Sequence, residues 1–245
     1  MKTLLLKFSG PMQSWGTSSH YETRQTDPYP SKSGVIGMIA ASMGYRRDED
    51  EKMKRLNDVN FAVRIDQKGK LLRDYHIAAK YSKRGILERN YVTQRYYLED
   101  AVFVVALSSD NDAFIEEIKS NIEKPYFQPY LGRRSCPIPA NFIIEMNEDD
   151  PIDALKSLEW QAAKWYQKEN VNYTANIYAD ANMLYGRRKQ KWDLPLSFSD
   201  SERKYGHRYV TRTSIYFNID ENCDNTTKYM NAIDEDIDFF DILEE

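Results

Sequence analysis

The stretch that most constrains this chain is Ala101-Val-Phe-Val-Val-Ala-Leu107, a continuously apolar run bounded by Glu99-Asp100 on one side and Ser108-Ser109 on the other. It is too short for a buried helix and rich in β-branched residues, so it reads as a strand covered on both faces. Such a strand sits inside a sheet that carries a packed layer on each side. Neighbouring segments supply partners. Thr3–Phe8 reads as a short buried strand stopped by Gly10-Pro11, and Phe61, Val63 and Ile65 alternate as a half-buried strand. A turn at Gln67–Lys70 leads into a strand at Leu71–Ile77, and Asn141–Met146 is expected to return as a strand. Ser33–Met43 and Asp112–Ile122 carry helical faces, the first stopped by Gly44 and the second closed by Pro125.

This order predicts an α+β fold with a βαββαβ core, ferredoxin-like or RRM-like, over residues 1–146. Ala78–Arg95 breaks the regularity with few aliphatics and many bases, and reads as an inserted arm or long hairpin. A boundary falls at Asn147–Asp150. Asp150-Pro151 then makes an N-cap and first-turn pair for a helix with its face at Leu155, Leu158, Ala162 and Trp165. Residues 147–220 read as a smaller, irregular C-terminal region, strand-poor over Asn170–Ser201, with a strand within Tyr209–Asp220. Residues 221–245 read as a flexible acidic tail.

Charge is unevenly spread. The net charge is −4, but Asn231–Glu245 holds seven acids and no base, and setting them aside leaves +3 for residues 1–230. No apolar stretch approaches the ~20 residues of a membrane span. In MKTLLLKF, Lys7 interrupts what would be a secretory apolar region. With only Cys136 and Cys223, neither a disulfide framework nor a metal cluster is expected. The expectation is a cytoplasmic protein with no membrane partner, no metal and no cofactor.

Motifs for nucleotide binding, zinc hydrolysis or serine catalysis are lacking. The three histidines could serve a metal-independent ribonuclease, as His76 with Tyr75 and Lys80, His20 with Tyr21, or His207 with Arg208. Nothing in the spacing selects among them. Basic clusters give the stronger signal. Arg73–Tyr97 holds six bases (Arg73, Lys80, Lys83, Arg84, Arg89, Arg95) against two acids, interleaved with Tyr75, Tyr81, Tyr91, Tyr96 and Tyr97. Ala181–Arg212 holds eight bases, among them Arg187, Arg188 and Arg208, with Tyr185, Trp192, Tyr205 and Tyr209. Bases beside aromatic faces suit phosphate contacts next to stacked bases of a single strand, while a solvated charged face is the plainer reading. Two loops add to the signal. Pro30-Ser31-Lys32-Ser33-Gly34 places hydroxyls and a lysine at a helix N-terminus, a potential phosphate site. Tyr130-Leu131-Gly132-Arg133-Arg134-Ser135 sets a glycine beside paired guanidiniums.

Three of these segments together, Gly10-Pro11-Met12-Gln13-Ser14-Trp15-Gly16, Tyr29–Gly37 and Tyr130–Pro137, resemble the CasD family, the fifth-numbered Cas family in its type I-E form. Arg95–Asp100 fits as well, and the resemblance runs in order from residue 3 to about residue 218. It implies a RAMP-superfamily protein with a ferredoxin-like core and a thumb hairpin at about 78–95. Such a subunit holds the 5′ handle of the crRNA in the CRISPR Cascade complex, beside the large subunit and the first backbone subunit, and meets target DNA only indirectly. It would be non-catalytic. In the type I-C branch the counterpart is a processing endoribonuclease, which is the alternative here. On this reading Gln13 and Trp15 shape the handle pocket, and Lys32 with Ser33 binds phosphate. Arg133 and Arg134 clamp the backbone with Tyr130 and Ser135, and Lys80, Lys83, Arg84, Arg89 and Arg95 follow the RNA, with Arg187, Arg188 and Arg208 in support. The acidic tail matches no motif of the family.

Overall fold

The computed structural model describes residues 1–18 and 22–219. The chain starts with β1 (Lys2–Ser9), β2 (Met12–Gln13), β3 (Thr23–Arg24), α1 (Lys32–Ser42), α2 (Asp50–Asn57) and β4 (Asn60–Gln67). It continues with β5 (Lys70–Tyr81), β6 (Leu87–Glu99), β7 (Val102–Ser109), α3 (Asp112–Glu123) and β8 (Ile143–Asn147). It ends with α4 (Pro151–Ser157), α5 (Lys164–Glu169), β9 (Asn172–Asp180), β10 (Arg188–Ser197) and β11 (Lys204–Asn218). The protein is therefore mixed α and β, mostly strands.

Strand β7 is covered on both faces, as its composition requires. Phe103, Val105 and Leu107 face one core with Leu4, Leu6, Phe8, Phe61, Val63, and the inward sides of α1 and α3. Val104 and Ala106 face a second core with Leu5, Ala62, Ile152, Leu155, Trp160, Ile177 and Phe217. Within the large sheet the order is β10-β11-β9-β4-β7-β1-β8. Every pairing in it is antiparallel.

Three expectations are corrected. The strand at Phe61–Ile65 is not half-buried: its polar alternates Arg64 and Asp66 are fully buried too. Arg64 is paired to Asp66 through Nε at 2.7 Å and Nη2 at 2.7 Å. Its remaining N–H groups donate to the carbonyls of Leu155, Leu158 and Glu159. That guanidinium satisfies the open carbonyls at the end of α4, so the helix stops at Ser157 instead of running on to Trp165. Asp150 caps it as expected, its Oδ1 accepting from the Ile152 N–H at 2.9 Å. Finally, the stretch after Asn170 is neither strand-poor nor irregular. Strands β9, β10 and β11 extend the large sheet through the β9–β4 pairing, Ala62↔Ala179 to Arg64↔Ile177. The acidic tail at 221–245 lies outside the described residues.

A second, four-stranded sheet holds β5 and β6 as a long antiparallel hairpin, Lys70↔Glu99 out to Tyr81↔Leu87. Short strands β2 and β3 pair along the root of β6. The expected arm at 78–95 is the outer part of this hairpin. Its tip closes at Ser82–Ile86, where Gly85 takes φ +76°.

Candidate nucleic-acid interface

The three loop segments singled out by their residues meet at the root of the hairpin. Gln13 is fully buried; its Nε2 donates to the carbonyls of Phe8 at 3.2 Å and Ala101 at 2.8 Å. Its Oε1 accepts from Trp15 Nε1 at 3.1 Å, and the Trp15 ring stacks on Phe8 at 5.3 Å. Gly34 lies under that indole: a Cβ there would stand 3.0 Å from Trp15 Cε3. Gly132, at φ +81°, presses on the same loop, and a Cβ there would come within 1.6 Å of the Ser14 carbonyl oxygen. Ser14 itself donates through its N–H to Leu131 O at 3.2 Å and through Oγ to Tyr96 O at 3.1 Å. One locked node thus ties both loops to β6.

The node sets the place of Arg133. Its guanidinium lies 4.4 Å over the Tyr97 ring, and Nη2 donates to Arg24 O at 2.9 Å. Arg95 and Tyr97 project to the same face of β6, because side chains alternate along a strand. Arg95 is also the register partner of Arg24 on β3. Arg133 Nη1 and Arg95 Nε are buried donors with no acceptor among the described residues. Arg134 and Ser135 are exposed beside them, while Tyr130 is half-buried and bridges to Pro137. Farther out, Lys80, Lys83, Arg84 and Arg89 are all exposed. Lys80 is paired to Glu88 at 2.8 Å, and Arg89 stacks on Tyr91 at 4.9 Å. Arg187 and Arg188 are exposed at the β9–β10 turn.

Several expected contacts are overturned by burial. Gln13 and Trp15 are enclosed and offer no atom to a ligand; they shape the node from within. Lys32 is buried, with Nζ 2.9 Å from Asp180 and its backbone N–H donating to Asp193 Oδ2 at 3.0 Å. Ser33 is half-buried against Ser31 Oγ, which caps the helix by accepting from Gly34 N–H at 3.3 Å. The anion at the start of α1 is therefore the protein's own carboxylate, and Lys32 is turned inward to it and not outward to a phosphate. Arg208 is likewise internal, bidentate to Asp193 at 2.6 and 3.0 Å and bonded to Asp180 at 2.7 Å. Burial opposes ionisation of Asp193, but Arg208, Lys191 and the Lys32 N–H outweigh it and hold the carboxyl below its usual range. Against the same penalty, Arg208 and Lys191 are held above theirs.

Among the described residues, the two candidate catalytic sets around His76 and His207 do not assemble. Tyr75 projects to one face of β5, His76 and Lys80 to the other, and His76 Nδ1 is 3.1 Å from the Ile77 carbonyl. His207 is exposed and edge-on to Trp192 at 4.2 Å, whereas the adjacent Arg208 points into the buried network. His20 and Tyr21 lie outside the described residues. Sequence reasoning named Tyr97 among the interleaved aromatics but not as the seat of Arg133, and it missed Arg24 and the carboxylates Asp180 and Asp193 as partners. Scattered single acids carry no pattern that marks them as partners.

With this geometry the chain is similar to CRISPR-associated proteins. Residues 3–211 match the family described as CRISPR-associated protein (Cas_Cas5), and the chain belongs to that family. It is 37% identical over 183 residues to the CRISPR system Cascade subunit CasD of Escherichia coli (strain K12), covering 69% of this chain and 82% of that protein. A chain of a CRISPR RNA-guided surveillance complex superposes with a TM-score of 0.71 at 30% identity, over 86% of this chain and 89% of the other. A Cas protein crystal structure gives 0.64 at 30% identity, over 86% and 94%. Among the described residues, no helix is long and apolar enough to cross a membrane.

Proposed function

We propose that this chain is a non-catalytic crRNA-binding subunit of a type I-E Cascade complex, holding the 5′ handle beside the large subunit and the first backbone subunit. The observation that carries this reading is the root of the hairpin. A glycine-locked node seats Arg133 on Tyr97 beside Arg95, and each guanidinium keeps a buried donor that meets no acceptor among the described residues. A buried donor left unmade costs about 1–3 kcal/mol, so an arriving phosphate gains what the free protein forgoes. The basic outer hairpin continues the track. The 37% identity to a Cascade subunit supports the same assignment. The antiparallel order β8-β1-β7-β4, with α1 and α3 packed on one face, supports a ferredoxin-like core whose thumb is β5–β6.

The test is binding of a synthetic 5′-handle RNA across a salt series. Arg133→Ala with Arg134→Ala is expected to weaken binding and to flatten the salt slope by roughly 0.7 per lost contact on a single strand. Unchanged affinity and slope remove both residues from the site. RNA recovered intact from the same mixtures supports the non-catalytic reading, and specific cleavage overturns it.

A further inference from the structure

The basic and aromatic stretch around the β9–β10 turn takes no part in the hairpin root. Side chains alternate along β11, so His207, Tyr209 and Thr211 share a face with Ile215 and Phe217 of the second core. The register sets Gln190 opposite Tyr209 and Arg188 opposite Thr211, on that same face. Trp192 joins them, its ring edge-on to His207 at 4.2 Å. Toward Ile215 and Phe217 this face is buried, but toward β10 it is open: Trp192 is 49% exposed and Tyr209 56%. Arg188, Gln190 and His207 are exposed as well. The turn adds Tyr185 and Arg187, both exposed, and Gly186 between them sits on Thr211, where a Cβ would stand 3.1 Å from Cγ2.

This face lies away from the hairpin. Val210 pairs with Asp180 at the end of β9, and Ala179 pairs with Ala62 near the start of β4. The hairpin springs from the other end of β4, after Gln67, and a strand of 8 residues spans about 25 Å. The node that seats Arg133 is also on the other side of the sheet, with Trp15, Tyr97 and Leu131 in the first core. A ligand held at Arg133 therefore leaves Trp192 and Tyr209 uncovered. The composition of the face says what complements it. Arg188, Gln190, Trp192, His207, Tyr209 and Thr211 include no acid and no aliphatic side chain. Exposed rings flanked by guanidiniums match a polyanion that carries flat rings of its own.

We propose that this face of β10 and β11 binds an unpaired polynucleotide strand other than the 5′ handle, its bases stacking on Trp192 and Tyr209 and its phosphates meeting Arg187 and Arg188. Contacts of this kind tolerate any sequence, because every base has a π-face and every nucleotide a phosphate. The chain then carries two nucleic-acid sites, on opposite sides of its large sheet and at opposite ends of β4.

The test titrates labelled oligothymidylate of about 12 nucleotides onto the full chain, with and without saturating unlabelled handle RNA. Running both mixtures keeps failure of the handle reading distinguishable from failure of this one. Oligothymidylate is expected to bind in both, and photocrosslinking in the saturated mixture to mark Trp192 or Tyr209. Trp192→Ala with Tyr209→Ala is expected to weaken that binding about tenfold or more and to leave handle binding unchanged. Arg187→Ala with Arg188→Ala is expected to weaken it too, flattening the salt slope by roughly 0.7 per lost contact. Should the aromatic variant melt lower than the parent, the arginine variant decides alone. Unchanged affinity in both variants overturns the proposal. So does displacement of oligothymidylate by handle RNA, or crosslinking in the saturated mixture confined to 70–99. A nucleic-acid-free dimer that Trp192→Ala with Tyr209→Ala dissociates also overturns it, because the face then belongs to a second copy of the chain.

Discussion

Gly132 holds the site by having no side chain. Its φ of +81° disfavours any L-residue, and the space a Cβ would fill belongs to the Ser14 backbone. Gly132→Ala is therefore expected to lose at least about 1–3 kcal/mol in urea denaturation and to free Arg133 from Tyr97. An unchanged midpoint would show the two loops to be uncoupled. Asp193 holds its region by charge instead. It accepts from the first N–H of α1 and from Nε and Nη2 of Arg208, so Asp193→Asn leaves buried cations undercompensated and is expected to cost about 3–5 kcal/mol. The pH dependence follows from the direction of the shifts. A carboxyl held low in the folded state stabilises above its unfolded pKa and loses that contribution as pH falls through the lower, folded value. Lys191 and Arg208, held high, lose theirs only at strongly alkaline pH. Thermal melts of the parent protein should then drop below about pH 4, and those of Asp193→Asn should show a shallower acid limb.

At the scale of elements, what could be read depended on whether the inward positions are apolar. Strand β7 was legible because its continuous apolar run admits one environment. Strand β10 was not, because its inward positions include Lys191 and Asp193, polar residues whose partners come from elsewhere: Asp27 for the first, Arg208 of β11 and the Lys32 N–H for the second. Strand β4 misled similarly through Arg64 and Asp66. The end of α4 depends on an arginine from a distant strand, which no local pattern announces. The basic hairpin was readable as an arm, but the buried fates of Lys32 and Arg208 were not. Lys32 opens α1 and Arg208 lies in β11, and the acids that hold them come from other elements, β9 and β10. For the hairpin itself, Lys83→Ala, Arg84→Ala and Arg89→Ala together should lower the salt slope of handle binding by about 2 while leaving stability within about 0.5 kcal/mol. A fall in melting temperature that accounts for the lost affinity would mean these bases are structural.

Across the whole molecule, the large sheet joins what the sequence divides at Asn147–Asp150. The second core takes Leu5, Ala62, Val104 and Ala106 from before that boundary, and Ile152, Leu155, Trp160, Ile177 and Phe217 from after it. Trp160 stacks on Tyr173 at 5.0 Å and on Phe217 at 5.4 Å, and its Nε1 donates to Asp66 O at 2.6 Å. The Tyr173 hydroxyl donates to Ile65 O at 3.1 Å. Neither part can bury its half of this core without the other, so unfolding should be one cooperative event. Far-ultraviolet circular dichroism reports the sheet, and tryptophan fluorescence reports Trp15 in the first core and Trp160 in the second. Their denaturation curves should coincide, and Trp160→Ala should shift both together by about 3–5 kcal/mol. Two resolved transitions, with Trp160→Ala moving only one, would show that residues 147–219 fold as a unit of their own and merely lean on the sheet.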